Sequence, residues 1–421
     1  MFGIDWRHAG VKALIAIGLT PIFAAIGFGL VVFAVSLDNG PIVKNLHTDR
    51  EVFQYGRPPA FNGRKIDVGT ECLGMSFALT PRNEGETWAE YAVRAPVIIG
   101  CERFLKQLET PDTKRPRAMD YFRYWHGYAV VSRPLLTVFP YRDIRMFTFN
   151  AMLLLFFLLA RRFYRDFSPG FALAFFLPFF FVNYAGFMML WTKAVSWMIA
   201  LGGAFVVSGA RVKAASAPPP LLAFFIIGCL TAYCDWLTVP LFTAMFPALV
   251  YFLYRRRFSP AQTAIEQTAL FLLLCAFWGA GYGGFWAVKF LVAYLVLGPE
   301  TWQVVWEMIL FRLRGDYESV KLWPGAGIAE NFEAFKALWG AAIIGVFVIA
   351  PLAKKHRREA ARAVVKNAPA FALIAASPFI WWEVVSNHSQ IHAVYTHVLL
   401  LLFLIPMSLT LFGQWPKREG G

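Results

Sequence analysis

One long polar segment, residues 36–125, interrupts a chain that otherwise consists of apolar runs separated by short basic clusters. The chain is 58% hydrophobic and only 16% charged, whereas soluble domains contain about a quarter charged residues. Apolar runs of this length are typical of helices that cross a lipid bilayer. We therefore predict an all-α polytopic membrane protein, with the lipid bilayer as its main partner.

The formal net charge of +14 would suggest a nucleic-acid partner if the protein were soluble. Here the basic residues lie in clusters between apolar runs, such as Arg255 to Arg257. Clusters of this kind mark the cytoplasmic side of a membrane protein. We therefore expect no nucleic-acid partner, and the basic residues near each end of the chain predict that both termini are cytoplasmic.

The apolar runs predict about ten transmembrane helices in a single membrane domain, residues 1–421. The first run, Ala13–Leu37, is too long for the apolar core of a cleaved signal and is predicted to remain as an anchor. The charge rule then places residues 36–125 and residues 283–333 outside the cytoplasm. The later predicted spans include 146–160, 169–184, 190–207, 220–234, a run that ends before Arg255, 268–282, 335–352, 368–382 and 394–412.

Three other stretches are predicted to lie at the bilayer surface or to enter it without crossing. Trp88–Leu108 predicts an interfacial amphipathic helix. Tyr121–Tyr141 is broken by Arg133-Pro134, and the short run Phe285–Leu297 carries Lys289. Both of these predict re-entrant or surface elements. A full crossing by Phe285–Leu297 stays open as the alternative, although the charge rule disfavours it.

Polar side chains collect at the predicted outer ends of the spans. Such groups are costly at membrane depth and usually face a bundle interior or an aqueous cavity. We predict a shared outer cavity, and the alternative is a set of separate solvated helix ends. The candidate sugar- or acceptor-binding residues in this set are His126, Asp235, Trp236, Glu383, Asn387, His388, His392 and Tyr395.

A cavity beside the lipid suits transfer from a lipid-linked donor, which needs cations for the phosphate and a carboxylate for the acceptor hydroxyl. Lys289, Arg133 and Lys193 are the candidate phosphate-binding residues. Asp67 is the first candidate for the base and Glu71 the second, since residues four apart share a helix face. The alternative role for Asp67 is the N-cap of a short helix that begins at Val68.

The stretch "SNHSQIHAVYTH" places His388 and His392 four residues apart, as in metal-binding helices. No third ligand is evident, so no metal site is assigned. The alternative roles for these histidines are hydrogen bonding to a sugar or phosphate and helix capping.

Cys72 and Cys101 share the polar segment and would pair only in an oxidising compartment. The sequence therefore leaves both a disulfide and free thiols open.

Five phrases, in their order along the chain, resemble a group of bacterial multi-pass proteins. These are "KIDVGTE", "YFRYWHGY", "RPLL", "IGCLTAYCDWLTVPL" and "SNHSQIHAVYTH". The group is similar to membrane glycosyltransferases of the GT-C class, in particular to the type IV pilin arabinofuranosyltransferases that use polyprenyl-phosphate sugars. The phrases extend from Lys65 to His397, so the resemblance covers most of the chain.

The resemblance implies a GT-C-like enzyme of the bacterial inner membrane with a periplasmic active site. It implies inverting transfer of a sugar, for instance D-arabinofuranose, from a polyprenyl-phosphate donor to a hydroxyl of a protein such as pilin or of a glycan. The catalytic acid of the class usually lies in the first external loop, which Asp67 or Glu71 would match, and Asp38 is a third candidate. No cofactor is assigned, and a divalent cation requirement stays open.

Two other classes of function compete with this hypothesis. A lipid-linked sugar flippase or other membrane transporter would predict inverted repeats and paired broken helices, and the sequence contains no convincing repeat. A non-catalytic membrane scaffold would not need the polar groups predicted at membrane depth. Formation of product from donor and acceptor in detergent distinguishes an enzyme from both.

Overall fold

The computed structural model describes residues 6–54, 68–109, 118–182, 184–209, 217–259, 262–315, 320–335 and 368–412. Within these ranges the chain is helical apart from its connections and one two-stranded sheet. The predicted all-α class is therefore confirmed.

The amino-terminal half contains both long apolar helices and short helices that belong to the polar segment. The helices in chain order are α1 (Trp6–Ser36), α2 (Asn39–Thr48), α3 (Val68–Met75), α4 (Trp88–Arg94), α5 (Cys101–Glu109), α6 (Ala129–Leu136), α7 (Tyr141–Asp166), α8 (Pro169–Phe176), α9 (Tyr184–Met188) and α10 (Trp191–Val207). Two 3-10 turns, Arg50–Phe53 and Leu177–Phe181, supplement them.

The carboxyl-terminal half consists of helices and their connections in its described part. It contains α11 (Leu221–Cys234), α12 (Pro240–Phe258), α13 (Ala264–Leu297) and α14 (Glu300–Arg314), followed by helical residues 326–335 and by Ala368–Val384, Ser386–Ile391, Ala393–Thr396, the 3-10 turn His397–Leu400 and Leu401–Phe412.

Four helical stretches are long and apolar enough to cross a bilayer, namely Trp6–Ser36, Tyr141–Asp166, Ala264–Leu297 and Ala393–Phe412. Shorter apolar helices lie between them, including Trp191–Val207 and Leu221–Cys234. Their composition supports a membrane protein. The total of ten spans stays a prediction, and the span predicted at 335–352 lies outside the described residues except for Phe335.

The interpretation of Phe285–Leu297 as a separate re-entrant element was wrong, because α13 runs unbroken for 34 residues. A helix of this length is about 50 Å long and exceeds the ~30 Å hydrocarbon core of a bilayer. The glycines around residue 280 do not break the helix. Gly281 instead lies directly against the backbone of α11 at Phe225, and Gly228 of α11 lies against Trp278 in the same way.

The polar segment is more finely divided than the sequence predicted. The interfacial helix predicted at Trp88–Leu108 was wrong: α4 ends at Arg94, the next residue Ala95 has a left-handed φ of 52°, and Pro96 begins a strand. This strand, β1 (Pro96–Ile98), pairs antiparallel with β2 (Ala118–Asp120), and Pro96 stands opposite Asp120. The element predicted at Tyr121–Tyr141 contains α6, whose eight residues are too short to cross a bilayer.

A disulfide joins Cys72 of α3 to Cys101 of α5, with a Cα–Cα distance of 5.3 Å. Of the two alternatives that the sequence left open, the structure contains the paired form. The bond lies in an apolar core that also contains Phe53, Phe104 and Tyr141. This core fixes α3 against the start of α7.

Substitution of Gly281 by alanine is expected to destabilise the α11–α13 contact. An added Cβ would overlap the Phe225 carbonyl oxygen, and overpacking of this kind costs about 1–3 kcal/mol. Gly279 is the matched control, because a Cβ there meets nothing within 4 Å and alanine has the higher helix propensity. Thermal unfolding of both variants in detergent measures the difference, and equal midpoints would contradict the close packing described here.

Candidate functional site

The amino end of α10 connects the polar segment to the membrane helices. Leu190 occupies the N-cap position and provides no side-chain hydrogen bond. Glu71 of α3 fills this role, since its carboxylate accepts from the backbone N–H groups of Trp191 (3.0 Å) and Thr192 (3.3 Å). Carboxylates at helix amino ends satisfy unpaired N–H groups and interact favourably with the helix dipole.

Two side-chain hydroxyls complete the surroundings of Glu71. The Thr192 hydroxyl donates to its carboxylate at 2.6 Å, and the Tyr141 hydroxyl donates to its other oxygen. The side chain is buried, and burial raises the pKa of Glu71, whereas the hydrogen bonds from Thr192 and Tyr141 oppose that rise. Both carboxylate oxygens of Glu71 thus accept hydrogen bonds from the protein. This arrangement suits a residue that fixes α3 against α10 better than a base that takes a proton from a substrate.

Lys193 follows directly on α10 and is fully buried. Its Nζ lies 3.5 Å from the Thr70 hydroxyl and 3.4 Å above the Tyr395 ring. One residue therefore contacts both the polar segment and the carboxyl-terminal histidine stretch, which are more than 300 residues apart. The structure brings these two predicted groups to the same place.

Asp235, at the end of α11, is also buried near this point. It accepts hydrogen bonds from the Ser196 hydroxyl of α10 (2.6 Å) and from the backbone N–H of Thr238 (2.8 Å). Trp236 follows it and packs among the rings of Tyr121, Tyr124, His126 and Tyr128. Asp235 therefore stabilises the turn that contains Trp236.

His126 lies inside this aromatic cluster in a left-handed backbone conformation, with φ of 59°. Its Nε2 lies 3.1 Å from the Tyr121 carbonyl oxygen and its Nδ1 lies 3.1 Å from the Tyr128 hydroxyl. A carbonyl only accepts, so Nε2 carries the proton. Burial, together with the charge of Lys289, lowers the pKa of His126 to about 3, so that the ring is neutral at physiological pH.

The side chains of His388 and His392 both contact Arg312. Nη1 of Arg312 lies 3.3 Å from Nδ1 of His388 and 3.2 Å from Nε2 of His392. Burial and the neighbouring His392 and Arg312 keep the pKa of His388 well below its usual range. Within the described ranges, no three His, Cys, Asp or Glu side chains are grouped to bind a metal ion.

Two of the three cations that were predicted to bind phosphate contact protein carbonyls instead. Arg133 is buried and donates to the carbonyls of Ala34 (2.8 Å) and Phe77 (2.9 Å), and also to the Asn39 amide oxygen (2.7 Å). Lys289 is buried and donates to the Val93 carbonyl at 3.3 Å. Both cations link membrane helices to the polar segment.

Other candidates have capping or connecting contacts. Asp38 is exposed and caps α2 through the Gly40 N–H. Glu383 accepts from the Gly325 N–H at 2.8 Å, and Asn387 donates to the Gly315 carbonyl at 2.8 Å. Asp67, the first candidate for the base, lies outside the described residues.

An apolar cavity of about 300 Å³ opens beside these groups, between α13 and α14. Tyr282, Trp286 and Phe290 of α13 form one wall. Two arginines, Arg123 and Arg312, also line it. A pocket with aromatic and aliphatic walls and a small number of charged groups is the usual form of a ligand site.

Sequence reasoning missed both cavity arginines. Arg123 lies within the phrase "YFRYWHGY", which drew attention to its histidine, and its guanidinium lies 3.9 Å from the Tyr121 ring. Arg312 lies near the end of α14, in the segment whose helix was not predicted. A signal was available, because Arg312 follows Val305, Met308 and Ile309 at the spacings of one helix face.

Comparisons with known proteins found no matching family model, no matching curated protein and no matching solved structure.

Acidification is expected to destabilise the protein through His126. Its pKa is about 3 when folded and about 6.5 when unfolded. The unfolded chain therefore binds the proton first, and stability falls by up to ~1.4 kcal/mol for each pH unit between these values. Thermal midpoints measured between pH 7.5 and pH 5 in detergent test this.

His126→Asn is the informative variant, because asparagine tolerates the left-handed conformation. It is expected to reduce the pH dependence of the midpoint, whereas His47→Asn, which changes a partly exposed histidine of α2, is the control. An unchanged pH slope in His126→Asn would contradict the assignment.

Proposed function

We propose that the protein is an inverting glycosyltransferase of the bacterial inner membrane, with a GT-C-like fold and about ten spans. It moves a sugar, D-arabinofuranose being one candidate, from a polyprenyl-phosphate donor to a hydroxyl of a protein such as pilin or of a glycan. The transfer takes place at the periplasmic face.

The observation that carries the proposal is the apolar cavity lined by two arginines. A polyprenyl-phosphate sugar joins a long apolar chain to an anionic head group. Aromatic residues of α13 and aliphatic residues of α14 suit the chain, and Arg123 and Arg312 suit the head. Positive charge near the phosphate lowers the cost of its departure as an anion.

The acceptor side of the reaction needs a base. In the proposed step, the base removes the proton of the acceptor hydroxyl, whose oxygen attacks the anomeric carbon. The bond from that carbon to the phosphate oxygen breaks, and polyprenyl phosphate leaves with the electron pair. We assign this base to Asp67, which directly precedes α3 in the sequence, where Thr70 contacts Lys193.

The disulfide between Cys72 and Cys101 is consistent with this location. Disulfides persist in oxidising compartments such as the bacterial periplasm. The polar segment that contains them is the one that the basic clusters predict to be external.

Asp67→Asn is expected to lower transfer by roughly 10²–10⁴-fold, because a positioned base contributes about that much. The rate is measured with purified protein in detergent, polyprenyl-phosphate sugar and acceptor, together with binding of the donor, which should persist. Glu84→Gln, an exposed acid of the same polar segment, is the matched control and should keep full activity.

Full activity in Asp67→Asn would remove this base assignment. A wild-type protein that forms no product in detergent but moves a lipid-linked sugar across a vesicle membrane would be a flippase, and the enzymatic proposal would then be wrong.

A further inference from the structure

We infer that Arg312 and Arg123 bind the phosphate of the lipid donor, and that His388 and His392 are positioning residues that hold Arg312 at this site. The inference deepens the proposed function and rests on it for the identity of the donor. It replaces Lys289 and Arg133 as the phosphate-binding cations.

The hydrogen bonds of His388 determine which nitrogen carries its proton. Its Nε2 lies 2.7 Å from the Leu237 carbonyl oxygen, which only accepts. Nε2 therefore bears the hydrogen, and Nδ1 has a free electron pair that faces Nη1 of Arg312 at 3.3 Å. A neutral imidazole in this tautomer accepts a hydrogen bond from the guanidinium without neutralising its charge.

His392 repeats this contact from the next helical turn. Its Nε2 lies 3.2 Å from the same Nη1 atom, and its ring centroid is 4.6 Å from that of His388. Both imidazoles thus act on a single amino group of Arg312. A guanidinium has five N–H donors, so the others are left for a phosphate, which arginine binds through two parallel hydrogen bonds.

Among the residues that the structure describes, neither cavity arginine has a carboxylate partner. The ion pairs of the described chain involve Arg94, Arg165 and Lys321, not Arg123 or Arg312. Arg123 also has a buried Nε without a hydrogen-bond partner among the described residues. Two guanidinium groups on an apolar cavity, with no acid beside them in the described ranges, favour an anion there.

The other candidate cations are engaged elsewhere. Arg133 donates to three acceptors of the protein, Lys289 donates to Val93, and Lys193 lies on the Tyr395 ring. None of these three residues lines the cavity. Arg123 and Arg312 therefore differ from these three cations in lining the cavity.

The test measures binding of a polyprenyl phosphate to the purified full-length protein by isothermal titration. Arg312→Gln is expected to weaken binding roughly 100-fold, because a charged bidentate contact is lost. Arg103→Gln removes an exposed arginine of α5 and should bind as the wild type does. The corresponding polyprenol, which lacks phosphate, should bind all variants equally, and inorganic phosphate should compete only weakly.

The histidine role is tested by a matched pair at position 392. His392→Gln retains an acceptor for Nη1 and should bind nearly as the wild type does, whereas His392→Leu should bind roughly tenfold more weakly. A purely structural role would lower the thermal midpoint of both variants without separating their affinities. If His392→Leu does not fold, the affinities of Arg312→Lys and Arg312→Gln for polyprenyl phosphate are compared instead. Lysine keeps the charge but not the planar fork, so equally weak binding by both variants would show that the orientation of the guanidinium matters.

The outcomes separate this inference from the proposed function. Unchanged polyprenyl-phosphate binding in Arg312→Gln, or inorganic phosphate that binds as tightly as the lipid, would overturn the site. Equal affinities for the two position-392 variants would overturn the positioning role. Loss of polyprenyl-phosphate binding in Arg312→Gln, in a protein that transfers no sugar, would retain the site and refute the glycosyltransferase.

Discussion

The contact between Glu71 and the amino end of α10 organises this structure. α10 begins after a leucine that offers no cap, so its first N–H groups need an acceptor from elsewhere. The carboxylate that satisfies them lies about 120 residues earlier in the chain. Because α10 also carries Lys193 and Ser196, this one contact fixes the polar segment relative to Tyr395 and Asp235.

The cations that contact the polar segment and those of the cavity have two different kinds of partner. Arg133 and Lys289 donate to carbonyls and so join the polar segment to membrane helices, at positions where a desolvated charge would otherwise be costly. Arg312 instead contacts ring nitrogens of His388 and His392, which orient the guanidinium without supplying a negative charge. The difference lies in the acceptor, which is a backbone carbonyl for Arg133 and Lys289 and a histidine nitrogen for Arg312.

Sequence reasoning predicted the helical class, the presence of membrane-length apolar helices and the chain segments that meet around Lys193. It failed at α13, where the shortness of the apolar run Phe285–Leu297 and the presence of Lys289 were interpreted as a separate element. Glycine weakens an isolated helix, but in α13 the absence of a side chain at Gly281 permits contact with the backbone of α11, and packing outweighs propensity. It also failed at the cavity, because the pairing of Arg312 with two histidines 76 and 80 residues away leaves no local pattern.

The large sequence separation between Glu71 and α10 has a consequence for biogenesis. During synthesis, α3 emerges well before Trp191, so its carboxylate has no helix end to bind while the intervening chain is made. The disulfide to α5 needs only residues that are already present by then. Formation of the contact between Glu71 and α10 would accordingly be a late event, completed when α10 meets a polar segment that the disulfide has already cross-linked.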